Sequence, residues 1–410
     1  MKKISDMMIV LLLALAPAAR AQDFTDYIKA VEQHNAAYLV EKYQVGIAEA
    51  QTAAARVFND PELSVEYGNN QDWSLMMGQS VDVGLSYNFS LGNVRKARIR
   101  LAKSEEDLSR AALDDWFRNL QADAIIAWAE AQRAGALLSL KRSSYESMQA
   151  VAASDSLKAV LGDGSRVDAM QSQLDARSQQ AEMIAAEAEY ASALQTLSLM
   201  AGGMSFQCSG EYPVVVRPSA GTLPELLDQA LEGRADLRAA EISKTLSERN
   251  LALVKASRAP EIGIGAGYSY NTEVRNEIAP APKFHGVSVG ISLPLKFSRL
   301  NRGERLAAER AVQQAEAAYE AAVQQIETEV RQAYVNYLAA VKVAQECSDK
   351  MLQDAESILE SRKTAYLQGD SSLLDYLLAV RVYNETAEQC IDARVGLTVA
   401  AAELLRAVGK

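Results

Sequence analysis

"YLQGDSSLLDYLLAVRVYNETAE", Tyr366–Glu388, repeats the pattern of "AVLGDGSRVDAMQSQLDARSQQAE", Ala159–Glu182. Gly369-Asp370 matches Gly162-Asp163, Ser372 matches Ser165, Leu374 matches Val167 and Asp375 matches Asp168. The offset is 207 residues (369 − 162). A Gly-Asp-Ser turn followed by a helical run, used twice, points to a duplicated architecture.

Outward from these turns the duplication covers the chain. "ELLDQALEGRADLRAAEISKTL" from Glu225 resembles "DYIKAVEQHNAAYLVEKYQVGI" from Asp26, and "APEIGIGAGYSYN" stands for "DPELSVEYGNN" with Pro260-Glu261 matching Pro61-Glu62. "VSVGISLPLK" at Val287 stands for "VDVGLSYNFS" at Val81, and "RLAAE" at Arg305 for "RLAKS" at Arg100. The repeating unit reads helix, strand, strand, long helix, turn, helix. The expected division is a signal peptide at 1–21, a first repeat at 22–205, a linker at 206–222 and a second repeat at 223–410. Strands are expected at about 61–69, 80–90, 260–270 and 285–296.

The chain has 410 residues, 49% apolar and 23% charged, which excludes a disordered polymer. Acidic residues exceed basic ones by 53 to 42. That balance, with no basic cluster read from the sequence, argues against nucleic acid as a partner. Lys2-Lys3, the apolar "MMIVLLLALAPAA" and the small-x-small step Ala19-Arg20-Ala21 read as a secretory signal. No Cys follows the cleavage step, so no lipid anchor is indicated. No later apolar run approaches the length of a membrane helix, which leaves a β-barrel as the way into a membrane.

The four strands alternate. Val81, Val83, Leu85, Tyr87 and Phe89 interleave with Asp82, Gly84, Ser86, Asn88 and Ser90; Ile262, Ile264, Ala266, Tyr268 and Tyr270 interleave with Gly263, Gly265, Gly267 and Ser269. Period two fits a barrel wall with lipid on one side and water on the other, or a half-buried soluble sheet. Four strands close no barrel, and open edges do not survive in lipid. Copies must therefore share one, eight strands as a dimer or twelve as a trimer, and a water-filled lumen needs the larger. Asp23 to about Phe58 reads as one helix. Val94 to Val160, without proline, would be a helix of roughly 100 Å. The Ala-rich run from Arg305 suits close, coiled-coil-like packing.

On these residues the chain resembles the TolC family of bacterial outer-membrane efflux channels. The marks are the duplicated order and the turn "YLQGDSSLLDYLLA". "GISLPLKFSRLNRGERLAAERA" is similar to the heavy-metal, CzcC-like branch. The resemblance implies a fold that is mainly α with a transmembrane β part. It also implies a homotrimer whose twelve-stranded barrel in outer-membrane lipid continues as a long α-helical barrel in the periplasm. The implied partners are a periplasmic adaptor (membrane fusion protein) and an inner-membrane pump of the RND or ABC type. The implied role is the passive exit duct of a tripartite efflux system, for heavy-metal cations or drugs. A type I protein secretion duct and a secreted, pore-free coiled-coil protein are the alternatives.

The resemblance places a pore constriction at Asp375, Asp168 and Tyr366. A second family aspartate is replaced by Leu378 and the gate arginine by Ser371, with Arg166 as a substitute. The exposed tips, Gly162, Asp163, Gly164, Ser165 and Gly369, Asp370, Ser371, Ser372, would dock the adaptor. Cys347 and Cys390, 22 residues before and 21 after Gly369, would face each other on a hairpin, as a disulfide or as two packed thiols. The two histidines, His34 and His285, are far apart, and no zinc motif or Ser/His/Asp arrangement is recognisable. No enzyme, metal site or cofactor is expected.

Overall fold

A computed structural model describes residues 24–69, 75–162, 164–208, 221–294 and 302–410. The expected signal peptide, Asp163, most of the expected linker and residues 295–301 lie outside these residues. In the first repeat α1 spans Phe24–His34, α2 Ala36–Ala55, β1 Glu62–Gly68, β2 Ser80–Ser90, α3 Val94–Leu161 and α4 Arg166–Met200. In the second, α5 spans Leu223–Gly233, α6 Ala235–Ala256, β3 Glu261–Asn271, β4 Phe284–Ser292, α7 Arg302–Glu346, α8 Asp349–Gln368 and α9 Leu373–Val408. The element order of one repeat is the order of the other, with two departures from the sequence reading.

The first departure is that each repeat opens with two helices instead of one. Asn35 interrupts α1 and α2: its Oδ1 accepts from Tyr38 N at 2.9 Å, the bond of an N-cap residue. Arg234 takes the same place between α5 and α6, in extended conformation (φ −71°, ψ 127°). The second departure is in the long helices. α3 runs unbroken over 68 residues. Its counterpart divides into α7 and α8, because Ser348 is extended (φ −75°, ψ 156°) and Asp349 begins a new first turn. β4 also ends at Ser292, short of the expected 296, and Pro294 beyond it has no N–H for a ladder.

The described residues form two compact units. One comprises residues 42–113 and 235–323 and holds the sheet. Its strands are antiparallel in the order β1-β2-β3-β4. The register aligns Leu63↔Leu85, Leu85↔Ala266 and Ala266↔Val289, and likewise Val65↔Val83, Val83↔Tyr268 and Tyr268↔Val287. One face is therefore apolar across all four strands. The other aligns Ser64↔Gly84, Gly84↔Gly267 and Gly267↔Ser288, a face of glycine and serine. The apolar face is bare, with Val65 68% and Val289 76% exposed. Among the described residues the sheet's outer strands, β1 and β4, each pair on one side only.

The other unit comprises residues 24–41, 114–234 and 324–410 where described. Its apolar core gathers Tyr27, Val31, Leu120, Trp128, Leu197 and Phe206. Tyr27 packs on Trp128 at 5.2 Å and edge-on to Phe206 at 5.2 Å between ring centroids. Between α3, α4 and α9 most buried positions are Ala, Ser or Thr, such as Ala131, Ser172 and Ala401. Small residues let helices approach closely, as the Ala-rich pattern implies. Cations on α3 tie the neighbouring helices: Arg133 reaches Glu189 and Asp392, and Lys141 reaches Glu182 and Glu388.

Cys347 and Cys390 are free thiols. Cys347 is near enough to Cys390 to help raise its thiol. Cys347 sits at the α7–α8 break with its Sγ directed at the Gln389 carbonyl, 3.9 Å away. The candidate disulfide is thus a pair of neighbouring free thiols in this structure.

Candidate functional site

The two Gly-Ser turns lie within one unit, and each is built by helix capping. After α3, Gly162 adopts a left-handed conformation (φ 85°), which a residue with a side chain reaches only with strain. Ser165 then caps α4, its Oγ accepting from Val167 N at 3.2 Å and Asp168 N at 3.3 Å. After α8, Gly369 is left-handed as well (φ 88°). Its N–H bonds Tyr366 O at 3.1 Å while Asp370 N bonds Ala365 O at 2.9 Å, which together satisfy the orphan carbonyls of the helix end. Gly162, Gly164, Ser165, Gly369, Asp370 and Ser372 are exposed, and Ser371 is half-buried.

Asp375 stands in a capping box with Ser372. Its N–H donates to Ser372 Oγ at 3.2 Å. Its Oδ2 accepts from Ser372 Oγ at 2.7 Å, Ser372 N at 3.4 Å and Ser371 Oγ at 3.3 Å. These bonds hold the carboxyl below its ordinary value, Ser372 being the largest cause. Asp375 is exposed and carries its charge at neutral pH. The box uses Oδ2, and Oδ1 takes no part in it. Ser371, standing for the expected arginine, spends its hydroxyl on the same carboxylate.

Tyr366 is bonded to α3 and stacked on α9. Its hydroxyl donates to Asp155 Oδ1 on α3 at 2.8 Å. Its ring stacks on Tyr376 of α9, with centroids 5.8 Å apart and planes 7° apart. Lys158 Nζ lies 5.7 Å from the ring centroid. Burial, then the bond to Asp155, push the phenol well above its ordinary value. Asp168, the expected gate aspartate, is exposed and acts on Tyr366 through charge alone. Arg166 forms no ion pair among the described residues.

Asp155 is the residue that sequence reading missed. It is 4% exposed, and its Oδ2 has no hydrogen-bond partner among the described residues. A signal existed: Met148, Val151, Ala152 and Asp155 follow a three-to-four spacing, so Asp155 falls on the buried stripe of α3. Beside the tips lies a bare apolar stripe. Leu374, Leu378 and Val382, four residues apart on α9, are 70%, 59% and 45% exposed. Leu378, where the family resemblance places a second aspartate, belongs to this stripe.

Among the described residues no cluster of three His, Cys, Asp or Glu could hold a metal ion, and no helix is long and apolar enough to cross a membrane. The family described as "Outer membrane efflux protein" matches residues 226–410. That stretch, 185 of the 410 residues, is similar to the outer membrane efflux protein family.

The efflux-protein fold extends beyond that stretch. A membrane protein from Pseudomonas aeruginosa superposes with a TM-score of 0.76 at 20% identity, over 96% of this chain and 98% of that one. CusC, described through conformational changes accompanying folding and transmembrane channel formation, gives 0.75 at 19% over 94% and 92%. The open state of the Neisseria gonorrhoeae MtrE outer membrane channel gives 0.74 at 19% over 94% and 88%. At these identities the likeness shows the fold. The mainly α fold with a β part that the resemblance implies is the one these structures share. No curated protein matches the chain by sequence.

Proposed function

We propose that this outer-membrane protein is the exit duct of a tripartite efflux system, working as a homotrimer. The observation that carries the proposal is the sheet. It has a continuous bare apolar face, a glycine–serine face, and two outer strands that each lack a partner on one side. The eleven residues of β2 and of β3 match the length of a tilted membrane strand. In lipid the outer strands must find partners, and three copies joining β1 to β4 give twelve strands around a lumen. The Gly/Ser face then lines water, and the apolar face meets acyl chains.

The helical unit supplies the periplasmic end. Three copies of Asp375 form an acidic ring that favours cations by focused charge. Tyr366 and Asp168 stand beside it. The described tip residues Gly162, Gly164, Ser165, Gly369, Asp370, Ser371 and Ser372 meet the adaptor, and Asp163 completes the first tip. The stripe Leu374, Leu378, Val382 gives a neighbouring helix an apolar seam. Cargo, heavy-metal cations or drugs, is selected by the inner-membrane pump.

Planar-bilayer recording of the mature chain tests the reading. Discrete cation-selective steps, with a trimer in detergent by light scattering, are expected. A carbonate-extractable protein without steps overturns it and leaves a pore-free coiled-coil protein.

A further inference from the structure

The first ten residues of α3, "VRKARIRLAK" (Val94–Lys103), hold five cations and no carboxylate. The sequence reading of no basic cluster is corrected here. Cations at a helix N-terminus oppose the helix dipole, so helix stability does not explain them. At the far end of the strands the connection 272–283 is balanced, with Glu273 and Glu277 against Arg275 and Lys283.

Three of these cations, Lys96, Arg100 and Lys103, line a cavity. A space of ≈ 750 Å³ opens between the starts of α3 and the end of α6. Arg56, Lys96, Arg100, Lys103 and Arg249 line it, against one carboxylate, Glu248. Lys103 is already paired with Glu106 and Asp107, and Arg249 donates to the Arg100 carbonyl and Ser104. Lys96 and Arg100 are exposed and form no ion pair among the described residues. In a chain of net charge −11 this is an uncompensated positive pocket.

Its level in the fold is fixed by the strands of the same unit. Gly92 of the lining follows β2 by two residues, and Ala256 precedes β3 by five. Phe58, 67% exposed, lies there under the Arg95 guanidinium at 4.0 Å. An exposed aromatic beside cations, next to an apolar strand face, is the chemistry of a membrane–water interface. Of the carboxylates at this level, Glu62 and Glu261 belong to the glycine–serine face, while Asp60 precedes β1 and Glu304 lies in the first turn of α7.

We infer that this cavity binds the phosphodiester headgroup of an anionic phospholipid from the periplasmic leaflet. The inference rests on the channel reading, because only a membrane-inserted sheet brings headgroups to this height. The phosphate would sit between Lys96 and Arg100, with Arg56 and Arg249 behind it, as basic pockets hold anionic lipids.

The test reconstitutes the full mature chain in vesicles of phosphatidylcholine with increasing phosphatidylglycerol, extracts it, and counts retained lipid by native mass spectrometry. Wild type should retain phosphatidylglycerol over phosphatidylcholine, and Lys96→Gln with Arg100→Gln should weaken that preference on the order of tenfold. Equal retention of both lipids, or a preference unchanged in the double variant, overturns the site. Displacement of the lipid by excess inorganic phosphate also overturns it, in favour of a free-anion site. Carbonate extraction of the same vesicles separates the two readings. A chain that inserts without lipid preference loses this inference alone, and a chain that does not insert loses the channel as well.

Discussion

Asn35 and Arg234, the single residues that divide the opening helices of the two repeats, donate to the ends of the two repeats' last helices. Asn35 Nδ2 bonds the Met200 carbonyl at 2.9 Å, and Arg234 Nη1 bonds the Ala407 carbonyl at 3.1 Å. Different side chains perform one task at matching places. Each repeat is closed on itself by this bond, its first helices tied to its last.

Arg234→Ala should destabilise the chain by about 2 kcal/mol, from the lost carbonyl bond and the broken pair with Glu329 at 2.7 Å. Arg234 is buried, whereas Glu329 is 38% exposed and finds water, which keeps the loss below that of a fully buried pair. Asn35→Ala should lose about 1 kcal/mol as a cap residue. Urea unfolding followed by circular dichroism measures both, and equal midpoints for wild type and Arg234→Ala would contradict the closure.

Gly202 makes the closure tighter. It is left-handed (φ +69°), and a Cβ there would stand 2.4 Å from the His34 carbonyl oxygen. Gly202→Ala should therefore destabilise more than an exposed-loop substitution, by about 1–3 kcal/mol from backbone strain and displacement of α1. The same urea midpoints report it.

Tyr366→Phe leaves the buried Asp155 carboxylate without its donor. The expected loss is about 1–3 kcal/mol locally, with faster amide exchange at the end of α8. If the bond restrains the tip, single-channel conductance rises in the same variant. Unchanged exchange and unchanged conductance would remove Tyr366 from the constriction.

Asp375→Asn should reduce cation selectivity in the bilayer. In the wild type, selectivity should stay flat from pH 7 to pH 5. The sign follows from the lowered carboxyl: the folded chain releases this proton before the unfolded one does. The stability it lends is present above the ordinary value of 3.8 and fades only as pH falls through the lower folded value. A selectivity loss near pH 6 would assign the ring to another group.

Cys347 should react with a thiol reagent in the native protein well before Cys390. Cys390 is buried, and its thiol is pushed up to about 11 by burial and by the Cys347 neighbour. Cys208 should also be slow, since burial pushes it up to about 12. Mass-mapped alkylation distinguishes the three, and prior labelling of Cys390 would contradict the packing at the α7–α8 break.

The strands were legible because alternation is local: each of β2 and β3 carries its period of two within eleven residues. The duplication was legible because Gly162 and Gly369 are each required by a left-handed helix end, so the turns resist drift. The break at Ser348 was not legible, since Ser and Asp sit in helices often enough and the interruption is decided by packing. Asp155 was missed for a related reason. On Ala-rich helices the buried stripe is marked by small residues, and a carboxylate there gives no contrast until its partner, Tyr366, arrives from 211 positions away. The basic start of α3 was hidden by the acidic total.

The division between α7 and α8 makes the two repeats mechanically unequal. Bending α3 anywhere along its 68 residues must break rungs of its own hydrogen-bond ladder. Its counterpart is interrupted at Cys347-Ser348, where Cys347 N bonds Val343 O at 3.1 Å and Leu352 N bonds Ser348 O at 3.4 Å. A duplicated chain thus carries one continuous and one interrupted long helix, and the interrupted one carries Tyr366.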